Sequence, residues 1–189
     1  MNFSFTIVLQ MVLIDAIFSQ NIQVCSGTVQ RIPIFASHYV EPRHIDVWLP
    51  ADYSPDKKYA VLYMHDGQML YDAADTWNKQ EWGVDESITA LLQLHKIRNC
   101  IVVGIWNTPK RNLEYCMEDA HLQFDTDAWK LFQTDAEAIR LYQKGNFLGN
   151  NYLQFIVEEL KPYIDNHYST LPDRANTFIA GSSRGGLIS

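Results

Sequence analysis

Residues 176–189, NTFIAGSSRGGLIS, decide how the rest of the chain is read. Thr177, Phe178, Ile179 and Ala180 make a short apolar run of the length expected for a buried parallel strand. The chain then turns through Gly181-Ser182-Ser183-Arg184-Gly185-Gly186 into what reads as the start of a helix. A G-x-S-x-G motif between a strand and a helix is the setting in which a serine is lifted out of the backbone as a nucleophile. Glycines two residues either side of Ser183 leave room for a strained turn that neighbouring Cβ atoms would block. A following helix turns its free N–H groups and positive dipole end toward the site, which favours a developing oxyanion. Ser183 is therefore the candidate nucleophile.

Upstream stretches supply partners for that strand. Residues 59–64 (YAVLYM) and 100–106 (CIVVGIW) are continuous apolar runs suited to strands covered on both faces. Between them Val84, Ile88, Leu91, Leu92 and His95 recur at helical spacing, predicting an amphipathic helix over about 85–96 with His95 near its C-terminal dipole end. Strand, helix, strand in this order is the crossover unit of a doubly wound sheet. Earlier still, 29–35 and 45–49 read as strands, with Arg43, His44 and Asp46 expected on a solvated edge. The turn-rich 51–58 is expected to link two of these early strands as a hairpin.

Between 107 and 149 periodicity is lost. This stretch holds an acidic run over 118–127 and a candidate helix over 128–142, and its length suits a lid or pocket wall. Tyr152, Phe155, Ile156, Leu160, Tyr163, Ile164 and His167 then keep one helical face. Asn150 or Asn151 is the candidate cap, and Pro162 should kink or tighten the helix.

The run 59–64 leads straight into His65-Asp66-Gly67-Gln68. A serine nucleophile on such a sheet draws one oxyanion donor from the loop after this strand and the other from the residue following the serine. Gly67 lets the backbone turn inward, so the N–H groups of Gln68 and Arg184 are the candidate donors. His65 and Asp66, adjacent on a strand, point to opposite faces and read as scaffold, not as a dyad. Trp77 and Trp82, in the loop over 72–82, either line a substrate pocket or pack that loop against the domain.

Composition bounds the partners. A chain of 189 residues is long enough for one domain with a large core. A net charge of −7 leaves no cationic surplus to neutralise phosphates, which argues against a nucleic-acid partner. Cys25, Cys100 and Cys116 form neither a metal-ligand spacing nor an even disulfide framework, and Cys100 reads as a buried thiol. No Gly-rich phosphate loop is present, and neither a cofactor nor a metal site is expected. The apolar stretch 3–18 is too short and interrupted to span a bilayer, so stable membrane insertion is not expected. It reads as a secretory signal over 1–19, leaving 20–189 as the N-terminal part of one domain in a secreted or periplasmic protein. The absence of Lys or Arg before it, and Asp15 near its end, keep a buried N-terminal strand or helix as the other reading.

Taken together, YAVLYMHDGQ, EWGVDE, VVGIWN, YLQFIVEELKPYIDNHYSTLPDR and FIAGSSRGGLIS resemble the putative esterase family of α/β-hydrolases over about 43–189. That family includes feruloyl and acetylxylan esterases, enterochelin-type esterases, S-formylglutathione hydrolases and mycolyltransferases. The resemblance implies an α/β fold of the α/β-hydrolase type: a mostly parallel doubly wound sheet with antiparallel N-terminal strands, here interrupted just past the nucleophile elbow. It implies a serine carboxylic-ester hydrolase working through an acyl-enzyme on Ser183, with a small-molecule or polysaccharide ester, an acylated carbohydrate or a siderophore, as substrate. Two positions depart from the family pattern. Arg184 stands where relatives commonly carry Met or Leu, and Glu114-Tyr115-Cys116-Met117 replaces E-Y-x-P.

In this fold the acid and base follow the nucleophile in the order Ser, Asp or Glu, His. His38, His44, His65, His95, His121 and His167 all precede Ser183, so none matches the family's base, and the partners are expected beyond Ser189. A catalytically inactive carbohydrate-binding or interaction protein on the same scaffold is the alternative expectation.

Overall fold

The computed structural model describes residues 22–117 and 147–189. The expected signal over 1–19, the acidic run over 118–127 and the candidate helix over 128–142 lie outside the described residues. Five strands, β1 (Thr28–Phe35), β2 (Arg43–Leu49), β3 (Ala60–His65), β4 (Cys100–Ile105) and β5 (Thr177–Ala180), form one sheet in the order β1-β2-β4-β3-β5. β1 and β2 pair antiparallel, as do β2 and β4, whereas β3 runs parallel to both β4 and β5. Helix α1 (Val84–Gln93) connects β3 to β4, and α2 (Arg111–Glu114) follows β4. α3 (Gly149–Gln154), a π-helical segment (Phe155–Leu160) and α4 (Lys161–His167) succeed one another without a break before β5, and α5 (Arg184–Leu187) comes after it.

The period of two along each strand splits the apolar residues between two layers. Ile45, Val47, Val61, Tyr63, Ile101, Val103 and Ile105 enter the larger core with Tyr152, Phe155, Leu160 and Ile164. Trp48 and Val102 enter a smaller cluster, against which Leu62, Met64, Ile88 and Leu92 pack. α1 and the α3–α4 stretch thus cover opposite faces of the sheet, which is what the continuous apolar runs of β3 and β4 require. Among the described residues no helix is long and apolar enough to cross a membrane.

Several expectations are corrected. The 51–58 connector is not a hairpin link, because β4 lies between β2 and β3. For the same reason β2 is an interior strand, and Arg43 and Asp46 are buried, not on a solvated edge. Each is buried with a partner of opposite charge: Arg43 with Glu114, and Asp46 with Arg31. Conversely β5 pairs only with β3 among the described strands, and Phe178 and Ile179 are partly exposed, not buried.

α1 stops at Gln93, short of 96, because His95 takes a left-handed φ of 52°. The His95 N–H then reaches the Leu92 carbonyl and the Lys96 N–H the Leu91 carbonyl, a Schellman closure. Neither Asn150 nor Asn151 caps α3; Leu148 is the N-cap residue, and the Asn151 side chain donates instead to the Tyr39 carbonyl at 3.2 Å. Upstream of Pro162 the helix widens into the π segment instead of tightening. A proline has no N–H for the carbonyl four residues back and its ring crowds that carbonyl, so a wider turn relieves both. All three cysteines are free, and Cys100 is buried.

Candidate active site

The parallel pairing of Val61 with Thr177 through Met64 with Ala180 brings the C-terminal ends of β3 and β5 level. Each strand breaks there into a turn on the same edge of the sheet, so residues 65–68 and 181–184 become neighbours. Ser183 holds φ 55° and ψ −122°, a conformation that costs a residue with a side chain ~1–3 kcal/mol. The turn is tight enough that a Cβ on Gly181 would stand 2.5 Å from the Gly185 carbonyl carbon. Bonds from the Gly185 N–H to the Ser182 carbonyl (2.9 Å) and from the Gly186 N–H to the Ser183 carbonyl (3.0 Å) close it into α5. Ser183 itself is exposed, and its hydroxyl has no hydrogen-bond partner among the described residues. On its inner side Gly185 abuts His65: a Cβ there would lie 3.3 Å from the His65 Cβ.

Gln68 lies in a single 3₁₀ turn, Gly67–Met69, entered through Asp66 at φ 58°. Among the described residues neither the Gln68 N–H nor the Arg184 N–H has a hydrogen-bond partner. The Gln68 side chain is held, with Oε1 accepting from the Asn107 N–H at 3.1 Å. Gly67 presses so close to β4 that a Cβ on it would be 2.6 Å from the Gly104 carbonyl carbon.

Asp66 is the anchor of this turn. Arg111 grips its carboxylate in two bonds, Nε to Oδ1 at 2.6 Å and Nη2 to Oδ2 at 2.8 Å. Asn107 Nδ2 donates to Oδ1 at 2.6 Å, and the Asp66 N–H donates to the Tyr115 hydroxyl at 3.2 Å. His65 points into the core instead, with Nδ1 2.8 Å from the Tyr152 hydroxyl and the Tyr115 and Tyr152 rings beside it. Burial lowers its pKa to about 4, so the ring is neutral at physiological pH. The adjacent His and Asp side chains thus take different partners, parted by the left-handed turn at Asp66 where β3 ends.

Sequence reasoning missed Asn107, Arg111, Tyr115 and Tyr152 as the supports of these turns. They are 41 to 87 residues away from the groups they hold. No local spacing signals such pairings; a buried charge in search of a partner is the one available clue.

Trp77 and Trp82 sit in different surroundings. Trp77 stands in solvent. Trp82 is half-buried against the smaller core, and its backbone N–H donates to the Met69 carbonyl at 2.8 Å. The histidines are engaged elsewhere: His38 with Glu159, His44 against Trp106, and His167 with the Tyr163 carbonyl, while His121 lies outside the described residues.

A mixed sheet in this strand order, with helices on both faces and a strained serine turn at the end of β5, matches about half of an α/β-hydrolase fold. Residues 37–189 match the model of the family described as putative esterase, and the chain belongs to that family. The uncharacterised protein YjcH of Bacillus subtilis (strain 168) is 23% identical over 164 residues, a match covering 87% of this chain and 55% of that protein. Among solved structures, the ferulic acid esterase AmCE1/Fae1A of Anaeromyces mucronatus, in complex with ferulic acid, matches with a TM-score of 0.53 at 23% identity, over 86% of this chain and 51% of its own. The enterobactin esterase FES of Shigella flexneri, in the presence of enterobactin, matches with a TM-score of 0.56 at 17% identity, over 87% and 34%. At such identities the likeness is one of fold. The chain spans about half the length of the curated relative it matches.

Proposed function

We propose that the protein is a serine carboxylic-ester hydrolase with Ser183 as its nucleophile. The observation that carries this reading is the strained, exposed Ser183 turn, set level with a 3₁₀ turn that leaves the Gln68 N–H unpartnered among the described residues. Ser183 Oγ attacks the ester carbonyl, and the resulting oxyanion accepts from the N–H groups of Gln68 and Arg184. Removing one such fixed donor typically costs ~3 kcal/mol of transition-state stabilisation. The tetrahedral species collapses with loss of the alcohol, and water releases the acyl group from Ser183. The fold's chain order puts the acid and base after the nucleophile.

An acylated carbohydrate or a siderophore is the proposed substrate. Of two proteins of similar fold, one was solved in complex with ferulic acid and one in the presence of enterobactin, and Trp77 offers an exposed aromatic face. The apolar 3–18 stretch supports a secreted or periplasmic setting. One observation favours a purely binding role: Arg184 follows Ser183 where the family commonly carries Met or Leu.

Both readings are tested on the full-length protein with p-nitrophenyl acetate and a fluorophosphonate probe. The hydrolase reading expects turnover and labelling of Ser183, both lost in Ser183→Ala. Turnover that survives Ser183→Ala overturns the nucleophile. Sugar or siderophore binding without turnover or labelling supports the binding role.

A further inference from the structure

A second group of ionisable side chains lies away from the elbow, where the N-terminal segment meets α1. α1 begins at Val84 and carries Asp85 and Glu86 in its first turn. Cys25 approaches from the segment before β1, and its backbone N–H donates to Asp85 Oδ2 at 2.6 Å. The Cys25 sulfur, one Asp85 oxygen and one Glu86 oxygen all lie within 4.8 Å of one another. Cys25 and Glu86 are exposed, so the cluster is open to solvent on one side.

The independent observation is Asp85. It is only 1% exposed, and its second oxygen, Oδ1, is buried without a hydrogen-bond partner among the described residues. A buried acceptor left unpaired costs ~1–3 kcal/mol, and more when ionised. The helix N-terminus favours one nearby negative charge. It does not account for two carboxylates and a thiol brought together.

We propose that Cys25, Asp85 and Glu86 form a binding site for one divalent cation of the zinc class, completed by water. A thiolate with two carboxylates suits such a borderline-soft ion, whereas calcium and magnesium take oxygen ligands. With Zn–S at ~2.3 Å and Zn–O at ~2.0 Å, tetrahedral ligand atoms lie ~3.5 Å apart, so small rotations of the exposed Cys25 and Glu86 side chains complete the site. On binding, the Cys25 S–H bond breaks, its proton passes to solvent, and the sulfur's electron pair forms the bond to the metal. The ion satisfies the Asp85 carboxylate and pins the segment around Cys25 to the start of α1.

The test is titration of the metal-free, reduced full chain with Cd²⁺, following the thiolate-to-metal ultraviolet band, with Zn²⁺ as competitor. One equivalent of Cd²⁺ saturates the band, and Zn²⁺ abolishes it. The band disappears in Cys25→Ser and persists in Cys100→Ser and Cys116→Ser. Glu86→Gln, an exposed change that leaves folding intact by circular dichroism, weakens Zn²⁺ affinity by about tenfold or more. Absence of a band at one equivalent, its survival in Cys25→Ser, or unchanged affinity in Glu86→Gln overturns the site.

Discussion

Replacing Glu114 by Ala removes one half of an ion pair that the fold has closed off from water. The side chains of Arg43 and Glu114 are 1% and 0% exposed. Arg43 Nη2 donates to Oε1 at 2.7 Å and Nη1 to Oε2 at 3.0 Å, while the guanidinium lies over the Tyr152 and Phe155 rings. Without Glu114 the cation keeps only its bonds to the Glu41 carbonyl, at 3.3 and 3.2 Å. Deleting one partner of a buried pair costs ~3–5 kcal/mol, and the residual carbonyl contacts favour the lower end, about 3. For a domain of this size that lowers Tm by ~6–12 °C. In urea unfolding followed by tryptophan fluorescence, the midpoint falls while the slope stays the same. The double change Arg43→Met with Glu114→Leu removes both desolvation penalties and returns to within about 1 kcal/mol of the parent. A loss below about 1 kcal/mol in Glu114→Ala, or a double variant as unstable as the single, would refute the reasoning.

Two further outcomes are expected. His65 is held neutral by burial, with its pKa lowered from 6.5 to about 4. The unfolded chain therefore binds this proton more readily. Stability is complete above the unfolded value and is lost as pH falls from 6.5 towards 4, by about 3 kcal/mol in all. NMR titration of the ring should show no inflection above pH ~5, and His65→Gln should flatten the acid limb of the stability curve. Trp82→Ala, which strips a half-buried ring from the smaller core, should cost about 2 kcal/mol in the same urea assay. Trp77→Ala, at a solvent-exposed site, should change stability by no more than about 0.5 kcal/mol.

Much of the fold is legible in the chain because its signals are local. The apolar runs at 59–64 and 100–106 became β3 and β4 within a residue at each end. The glycine spacing around Ser183 became a turn whose backbone angles only such spacing accommodates. The single helix expected after 150 is present, interrupted where Pro162 breaks the hydrogen-bond pattern. Where local signals mislead, the cause is lateral. Arg43 and Asp46 read as polar residues of an edge strand because nothing near them in sequence announces Glu114, Arg31 or Trp106.

By itself, then, the sequence determined that strands, crossover helix and a serine elbow exist, since each rests on the periodicity and sterics of a few consecutive residues. Only the tertiary structure decided that β4 enters between β2 and β3. That insertion turns a supposed edge into the interior of the sheet and sets Asp66, Asn107 and Arg111 together beneath the Gln68 turn. Strand order depends on which faces pack across the whole domain, and the burial of a charge depends on finding its counter-charge tens of residues away. Neither quantity has a local period to be read.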